Sequence, residues 1–335
     1  MTDAPSHSPA AAALALTPAG APTPADATIP ADAPTPAGVP TPAGAPGSPS
    51  ANAASTPPAT GRAARPPQPQ RALTVKRVEA VSPHLVRIVA EGEAIASIPE
   101  STQTDRYSKM LFAPKGSALV PPYDLAALRE TLARQELPTQ RTYTLRRVDR
   151  EAGEVWIDFV VHGDTGVAGP WAADARPGDT IVLAGIGGGY EPDPAADRHL
   201  LAGDEAAIPA IASALEAMPA DAQGIAVLEV DGPADEIALT VPVGIELVWV
   251  HRAGAEPGTS TVLLDALRAL PAPVGDTQVF VHGERGAMKA LRPLLLEQWG
   301  IPRSRLSLSA YWAHGRAEDT FQAEKREPVG QIFTD

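Results

Sequence analysis

The pattern of predicted strands and helices changes near Asp197, and this change limits the folds open to the chain. Before Asp197, short apolar runs rich in β-branched residues are separated by turn signals, which favours an antiparallel barrel or sandwich. One short helix is predicted within this part, over the run LAALRETLAR. After Asp197, strands and helices alternate, which predicts a parallel sheet covered by helices. We therefore predict a β domain at 71–196 and an α/β domain at 197–320.

Both ends of the chain lie outside these two domains. Residues 1–70 consist mainly of Ala, Pro, Thr, Gly and Ser, contain no aromatic residue, and carry no Lys or Arg before Arg62. Such a segment has too little bulky apolar surface to offset the entropy of ordering it, so we predict a disordered tail. Residues 321–335 are assigned to a C-terminal tail. The sequence contains no convincing signal peptide or transmembrane segment, and we expect a cytoplasmic protein without membrane insertion.

The composition excludes several kinds of site. The chain has no cysteine, which excludes disulfides, Cys-ligated iron–sulfur clusters, zinc–thiolate sites and a cysteine nucleophile. Any redox chemistry must therefore use a bound organic cofactor or a metal that is already chelated. The formal net charge of −13 argues against nucleic acid and anionic membranes as partners. An anion site would need a local cluster of cations.

The run RTYTLR at 141–146 offers such a cluster in a predicted strand. Because side chains alternate between the two faces of a strand, Arg141 and Tyr143 share one face and Thr144 lies on the other. A cation and an aromatic ring on one face can hold a phosphate and stack on a flat ring. Thr144 adds a hydroxyl and a backbone N–H. The alternative is an ordinary strand with exposed arginines and a half-buried tyrosine, and spacing alone favours it.

A glycine-rich loop follows the next predicted strand, in HGDTGVAGPWAADARPGD from His162 to Asp179. Its glycines permit close approach of the backbone, and Pro170 suits the first turn of a short helix. A glycine-rich loop that opens a helix directs N–H groups outward and suits a pyrophosphate. The alternative is a plain loop and turn.

Three further stretches lie where predicted strands of the α/β domain end. In LAGDEAAIPAI, Asp204 and Glu205 either cap the next helix or line a ligand cleft, because open α/β sheets bind ligands beyond the carboxyl ends of their strands. In HGERGAMKALR, Glu284 occupies the same kind of position, and the alternative is a solvated helix face. In YWAHGRAED, Tyr311 and Trp312 either cover a flat cofactor or close the core.

Taken together and in order, these motifs resemble those of one family. The chain from about Leu73 to Glu318 resembles the siderophore-interacting proteins, flavin-dependent ferric-siderophore reductases of the ferredoxin–NADP reductase superfamily. RTYTLR is similar to the family's R-x-Y-T-x-R, and LLAGDEAAIPAI to L-L-A-G-D-E-T-A-L-P-A-I. DFVVHGDTGVAGPWA, VHGERGAMKALR and YWAHGRAED resemble three further family elements.

The resemblance implies an N-terminal antiparallel FAD-binding β-barrel followed by a Rossmann-like NAD(P)-binding α/β domain. It implies that Arg141 contacts the FAD pyrophosphate, that Tyr143 stacks on the isoalloxazine and that Thr144 lies near flavin N5. We therefore predict Tyr143 and Thr144 as the catalytic residues. The loop residues assigned to the pyrophosphate and adenosine side are His162, Gly163, Gly166, Ala168 and Trp171. The residues assigned to the NAD(P)H cleft and the open face of the flavin are Gly203, Asp204, Glu205, Gly283, Glu284, Tyr311 and Trp312.

The activity implied is electron transfer from NAD(P)H through FAD to the Fe(III) of a siderophore, with release of iron as Fe(II). The resemblance requires no metal ligands from the protein, and we expect a monomer. Because many ferric siderophores are anionic, we expect Lys109, Lys289 and Arg316 to contact the substrate. Arg252 could hold a 2′-phosphate and favours NADPH, whereas the acidic stretch at 231–236 would oppose one if it lies close.

Two other functions stay open at this point. A flavin reductase or diaphorase that donates to a protein partner would share the FAD motifs, and a siderophore-binding module or a Pro-rich adaptor would lack catalysis. The sequence also departs from the family pattern at a few positions. The family's G-P-A-S is replaced by 166–169, Ala206 replaces Thr, His282 replaces Ala, and Ala313 replaces Arg.

Overall fold

The computed structural model describes residues 68–163 and 166–333. The tail predicted for residues 1–70 lies almost entirely outside the described residues. The first domain contains β1 (Gln70–Ser82), β2 (Leu85–Glu91), β3 (Tyr107–Phe112), α1 (Leu125–Thr131), β4 (Thr139–Thr144), β5 (Arg147–Asp149), β6 (Glu154–Val160), α2 (Ala168–Asp174) and β7 (Thr180–Gly187). The second contains β8 (Arg198–Gly203), α3 (Ile208–Ala217), β9 (Gln223–Val230), β10 (Gly244–His251), α4 (Val262–Ala269), β11 (Thr277–Glu284), α5 (Arg285–Pro293), β12 (Leu306–Trp312) and α6 (Glu318–Glu324).

The first sheet is antiparallel, with the strand order β4-β3-β7-β1-β2-β6-β5. Alternate residues in the first half of β1, at 71, 73 and 75, are buried, which is the period-two pattern that places one face of a strand on a core. The sheet curls until β4 approaches β6, where the rings of Tyr143 and Phe159 lie 4.4 Å apart between centroids. These strands are not neighbours in the hydrogen-bonded order, so the predicted barrel is an open one. Its core includes Ile88, Met110 and Ile157.

The second sheet is parallel, with the strand order β10-β9-β8-β11-β12. Numbered from β8, this is the 3-2-1-4-5 order of doubly wound sheets, whose switch point lies between β8 and β11. Ile211 of α3 packs in the core on one face of the sheet. Leu267 of α4 and Leu291 of α5 pack in the core on the other face. The predicted order of a β domain followed by an α/β domain is therefore confirmed.

The residues assigned to a C-terminal tail pack against the α/β domain. Phe321 of α6 is 1% exposed and lies in a small core with Ala310 and Ala313. Arg285 at the start of α5 forms an ion pair with Glu324, with 2.5 Å between Nη1 and Oε2. Burial of one aromatic side chain contributes on the order of 2–3 kcal/mol, so α6 is an integral part of the domain.

Ion pairs are among the contacts that join the two domains. Arg146, which follows β4, forms an ion pair with Glu216 of α3. His84, in the turn between β1 and β2, contacts Asp235 with 3.0 Å between Nδ1 and Oδ1. In the described part of the chain, no helix combines the length and apolar character needed to cross a bilayer.

Candidate functional site

A cleft of about 1140 Å³ opens between the edge strand β4 and the carboxyl ends of β8, β11 and β12. We call this space the interdomain cleft. Its walls come from both domains and from the C-terminal segment. The predicted site residues that line it are Lys109, Arg141, Tyr143, Thr144, His162, Gly166, Ala168, Asp204, Glu205, Arg252, Tyr311, Trp312 and Arg316.

The backbone of β4 presents free hydrogen-bonding groups to the interdomain cleft, because β4 is the last strand of its sheet. The N–H of Thr142 donates to Glu318 Oε1 at 2.9 Å, so it points away from β3. Backbone N–H groups alternate in direction along a strand, which puts the N–H of Thr144 on the same open side. This edge can therefore donate hydrogen bonds to a ligand rich in acceptors.

The side chains of β4 add an aromatic ring and a cation. Tyr143 is half-buried, and its ring packs on Phe159. Burial, with a smaller contribution from Glu318, raises the pKa of the Tyr143 phenol, which stays neutral at any physiological pH. The Arg141 side chain is 15% exposed, and its Nη1 lies 3.5 Å from Asp319 Oδ1. An anionic ligand could replace that long contact with a shorter ion pair.

The glycine-rich loop divides into residues that line the interdomain cleft and residues that support its wall. Gly166 has a φ of 92°, a left-handed conformation that favours glycine, and lies at the cleft. Trp171 does not line the cleft. It packs on Phe112 with 5.3 Å between ring centroids and supports the wall from behind. Gly163 also lies outside the lining, next to residues 164–165, which the structure does not describe.

Asp204 joins three strands at the switch point. Its Oδ1 accepts from the N–H of Ala206 at 3.0 Å. Its Oδ2 accepts from the N–H of Glu284 and from Trp312 Nε1, both at 2.8 Å. Burial, and next the charge of Glu205, raise the pKa of Asp204 to about 7, although the three hydrogen bonds lower it. Asp204 thus both caps the turn before α3 and fixes the indole of Trp312 in the cleft wall.

Three predicted residues serve this arrangement from outside the lining. A Cβ on Gly283 would lie 2.8 Å from Asp204 Oδ2, and a Cβ on Gly203 would lie 2.5 Å from the carbonyl oxygen of His282. Both positions therefore require glycine. Glu284 accepts from the N–H of Ala287 through Oε2 and from the N–H of His314 through Oε1, so it caps α5 and holds the loop after β12.

A stack of rings forms the floor beside Trp312. Tyr311 meets His282 edge-on, with ring centroids 4.8 Å apart. His282 stacks on Phe280 at 3.9 Å, and its Nε2 lies 2.9 Å from Ser307 Oγ. Burial lowers the pKa of His282 to about 3, so the imidazole is neutral. Its Nδ1 has no hydrogen-bond partner among the described residues.

Not all of the basic side chains that we predicted to contact the substrate lie at the interdomain cleft. Lys109 on β3 is exposed and lines it, and Arg316 lines it while Nε donates to Glu324 at 2.8 Å. Lys289 lies elsewhere, since its Nζ donates to the carbonyl of Val329 at 2.6 Å. Lys325 was not predicted, yet it lines the cleft. Although Lys325 is exposed as a residue, desolvation of its ammonium beside the Phe321 ring, and to a smaller extent Lys109, lower its pKa, while Glu318 opposes them.

The residues present fit a flavin dinucleotide. The cleft combines N–H donors on an open strand edge, a guanidinium for a phosphate and a half-buried phenol against which a flat ring can lie. Its volume lies slightly above the usual range of about 300–1,000 Å³ for ligand pockets, which suits a ligand larger than a mononucleotide. Arg141, Tyr143 and Thr144 line this part of the cleft and could hold it.

Comparison with known proteins agrees with this geometry. The family model described as siderophore-interacting FAD-binding domain matches residues 74–190, and the one described as siderophore-interacting protein matches residues 196–315. An uncharacterised protein of Mycobacterium tuberculosis is 43% identical over 272 residues, which cover 78% of this chain and 96% of that protein. The ferric vibriobactin reductase ViuB of Vibrio cholerae is 33% identical with the same coverage of both chains.

Solved structures give the same result. The siderophore-interacting protein SipS from Aeromonas hydrophila is 30% identical with a TM-score of 0.66, over 78% of this chain and 98% of that one. The ferredoxin reductase of carbazole 1,9a-dioxygenase is 16% identical with a TM-score of 0.52, over 73% of this chain and 68% of that one. At that identity the likeness concerns the fold alone.

Proposed function

This chain belongs to the siderophore-interacting protein family, and from that premise we propose that it transfers electrons from NAD(P)H through FAD to ferric siderophores and so releases iron as Fe(II). The family resemblance read from the sequence motifs is confirmed by the matches to both domains. An FAD-binding domain and a ferric reductase among the relatives support an oxidoreductase. The route of the electrons and the release of iron are our proposal.

One observation carries the proposal. The interdomain cleft brings the edge of β4, which can hold a flavin, to the carboxyl ends of β8, β11 and β12, where doubly wound sheets bind nucleotides. The nicotinamide that donates electrons and the flavin that accepts them would therefore lie in the same cleft. Bound FAD would supply the chemistry that links a two-electron donor to a one-electron acceptor.

The residues of the chain would bind the FAD, orient its ring and exclude water from it. Arg141 would pair with the pyrophosphate in place of its long contact to Asp319. Tyr143, neutral and backed by Phe159, would present its ring to the isoalloxazine. Thr144 would donate its backbone N–H or its hydroxyl to the ring edge. Trp312, fixed by Asp204, would close the opposite wall.

The cations at the cleft suit an anionic chelate. Lys109 and Lys325 line the same cleft and are close enough that Lys109 contributes to the lowered pKa of Lys325. Two neighbouring ammonium groups repel one another, and an anion between them removes that repulsion. Hard oxygen chelators hold Fe(III) more tightly than Fe(II), so reduction itself would loosen the iron.

The test is anaerobic reduction of protein loaded with FAD. We expect NAD(P)H to bleach the visible flavin absorption, and a ferric siderophore added next to restore it while a ferrous-specific dye captures Fe(II). Free FAD at the same concentration is the control for reduction in solution. The proposal is wrong if ferric chelates fail to reoxidise the bleached protein.

Two outcomes would favour the other functions. Reoxidation by a redox protein but not by ferric chelates would indicate a reductase for a protein partner. Purified protein that binds ferric siderophore but no FAD would indicate a binding module without catalysis. The first outcome would be compatible with the proposed flavin site, and the second would contradict it.

A further inference from the structure

The end of β9 holds the residue that decides between phosphorylated and unphosphorylated dinucleotides in doubly wound sheets. Numbered from β8, β9 is the second strand, and an acidic residue after it accepts a hydrogen bond from the 2′-hydroxyl of an adenosine ribose. An arginine nearby instead accommodates a 2′-phosphate. Here Asp231 follows β9, and Arg252 follows the neighbouring strand β10. The question is therefore whether Arg252 is free to bind a phosphate.

Arg252 is buried and already paired. Its side chain is 4% exposed, and Nη1 lies 2.5 Å from Glu205 Oε1, whose side chain is 9% exposed. Its Nε lies 3.7 Å from Asp231 Oδ1. Among the described residues, Nε and Nη1 have no acceptor in hydrogen-bond geometry, so these contacts are ion pairs and not aligned hydrogen bonds. The guanidinium charge is neutralised inside the protein.

Asp231 is held in position by hydrogen bonds, and its side chain is still accessible to a ligand. Its Oδ1 accepts from the N–H of Gly254 at 3.0 Å, and its carbonyl accepts from the N–H of Ala253 at 2.9 Å. Its side chain is 32% exposed. One carboxylate oxygen remains for a ribose hydroxyl. A phosphate at the same place would meet this carboxylate as a like charge.

A third carboxyl group interacts electrostatically with the same guanidinium. Glu229 of β9 is buried, and its pKa is raised to about 7 by burial, then by Asp204 and Glu205, against the opposing effect of Arg252. One cation is thus surrounded by Glu205, Glu229 and Asp231. Glu256 adds another carboxylate to the nearby lining of the interdomain cleft. The local field is negative, and a 2′-phosphate would bring about one and a half to two further negative charges.

Within the function proposed above, on which this step rests, we infer that the chain takes its electrons from NADH and discriminates against NADPH. Asp231 is the specificity-determining residue, because it can accept the 2′-hydroxyl that NADPH lacks. Glu205 is a positioning residue, because it holds the Arg252 guanidinium in a buried ion pair at the cleft wall. This reverses the preference that Arg252 alone indicates in the sequence.

The first measurement is equilibrium binding of NAD⁺ and NADP⁺ to the oxidised, FAD-loaded protein by titration calorimetry. We expect NAD⁺ to bind about tenfold or more tightly than NADP⁺, because like charges in an interface are strongly unfavourable. Flavin bleaching in a stopped-flow instrument, with NADH and NADPH compared, gives a second readout. NADH should bleach the flavin faster at equal concentration.

A variant then tests the cause. In E205Q/D231N the guanidinium of Arg252 loses both ion-pair partners and keeps only the neighbouring Glu229, so the affinity for NADP⁺ relative to NAD⁺ should rise about tenfold or more. Adding Arg252→Met to that variant should abolish the increase in relative affinity for NADP⁺. Glu246→Gln, an exposed charge removal on β10, is the matched control and should leave the ratio unchanged. Flavin content and melting temperature verify that each variant is folded.

The outcomes separate this inference from the proposed function. If NADP⁺ binds as tightly as NAD⁺, or E205Q/D231N leaves the ratio unchanged, the inference is wrong and the reductase proposal stands. If neither NADH nor NADPH bleaches a fully loaded flavin, both are wrong.

Discussion

Trp312 Nε1 donates a 2.8 Å hydrogen bond to Asp204 Oδ2, and this bond joins the last strand of the α/β domain to its first. The same oxygen accepts the N–H of Glu284 from the strand between them. A single buried carboxylate therefore sets the relative position of three strand ends. The wall of the interdomain cleft depends on it, because Trp312 lies in that wall.

We predict that Asp204→Ala lowers the free energy of unfolding by on the order of 3 kcal/mol, because one buried and two partly buried N–H donors lose their acceptor. Asp204→Asn should cost less, since its amide oxygen can still accept from part of this set. Urea unfolding measures the change. Asp221→Ala, an exposed carboxylate, is the control and should change little. Equal stability of Asp204→Ala and Asp221→Ala would contradict the prediction.

The raised pKa of Glu229 predicts a pH dependence. Burial and two carboxylates raise it from 4.5 to about 7, so the folded protein holds a proton that the unfolded chain releases across this window. The contribution of Glu229 to stability is therefore fully present below pH 4.5 and lost as the pH rises to about 7. Glu229→Gln removes this titration, and its free energy of unfolding should fall less across the window.

The measurement is urea unfolding of both proteins at several pH values from about 4.5 to 7.5. Glu246→Gln on β10 is exposed, and it should keep the slope of the unsubstituted protein. Parallel pH profiles for Glu229→Gln and the unsubstituted protein would show that Glu229 titrates normally.

Arg141 tests the flavin site. We predict that Arg141→Ala raises the Kd for FAD about tenfold or more, because a charge-assisted pair with a phosphate is lost. Quenching of flavin fluorescence measures the Kd. Arg147→Ala removes a cation from β5, half-exposed over Trp156 and outside the interdomain cleft, and should leave FAD binding unchanged. Unchanged affinity in Arg141→Ala would remove Arg141 from the site.

The sequence predicted the two domains because both depend on local periodicity. Apolar and polar residues alternate at the start of β1, which indicates a strand. Strands and helices alternate after residue 197, which indicates a parallel sheet. The site was predictable only in part. Arg141 and Tyr143 stand out in one strand, but whether Lys289 faces the cleft depends on how α5 is rotated on its sheet, and its Nζ instead reaches Val329.

The C-terminal segment shows the same limit. FQAEKREP has few apolar residues and no clear period, so the sequence placed it in a tail. Phe321 nevertheless finds a complementary gap beside Ala310 and Ala313, and its burial brings Lys325 to the cleft. Such a contact arises from tertiary packing, which local patterns do not encode. Arg252 is a similar case, since its partners Glu205 and Asp231 come from two other strand ends.

Lys325 and Lys109 give the last prediction. If they hold an anionic ferric chelate, Lys325→Gln and Lys109→Gln should each raise the KM for such a chelate several-fold, with a smaller change in kcat and a larger effect at low ionic strength. A chelate without net negative charge should show little change. Lys115→Gln, 92% exposed and paired with Asp174, is the matched control.

The lowered pKa of Lys325 adds a pH signature to this prediction. Lys325 is exposed as a residue, but its Nζ lies 4.6 Å from the centroid of the Phe321 ring, and desolvation there lowers its pKa, so it loses its proton at a lower pH than an ordinary lysine. The KM for the anionic chelate should therefore begin to rise at a pH below the usual range of lysine titration, and this early rise should be absent in Lys325→Gln. Steady-state reduction across the alkaline range measures it. Identical pH profiles in the two proteins would mean that Lys325 does not meet the substrate.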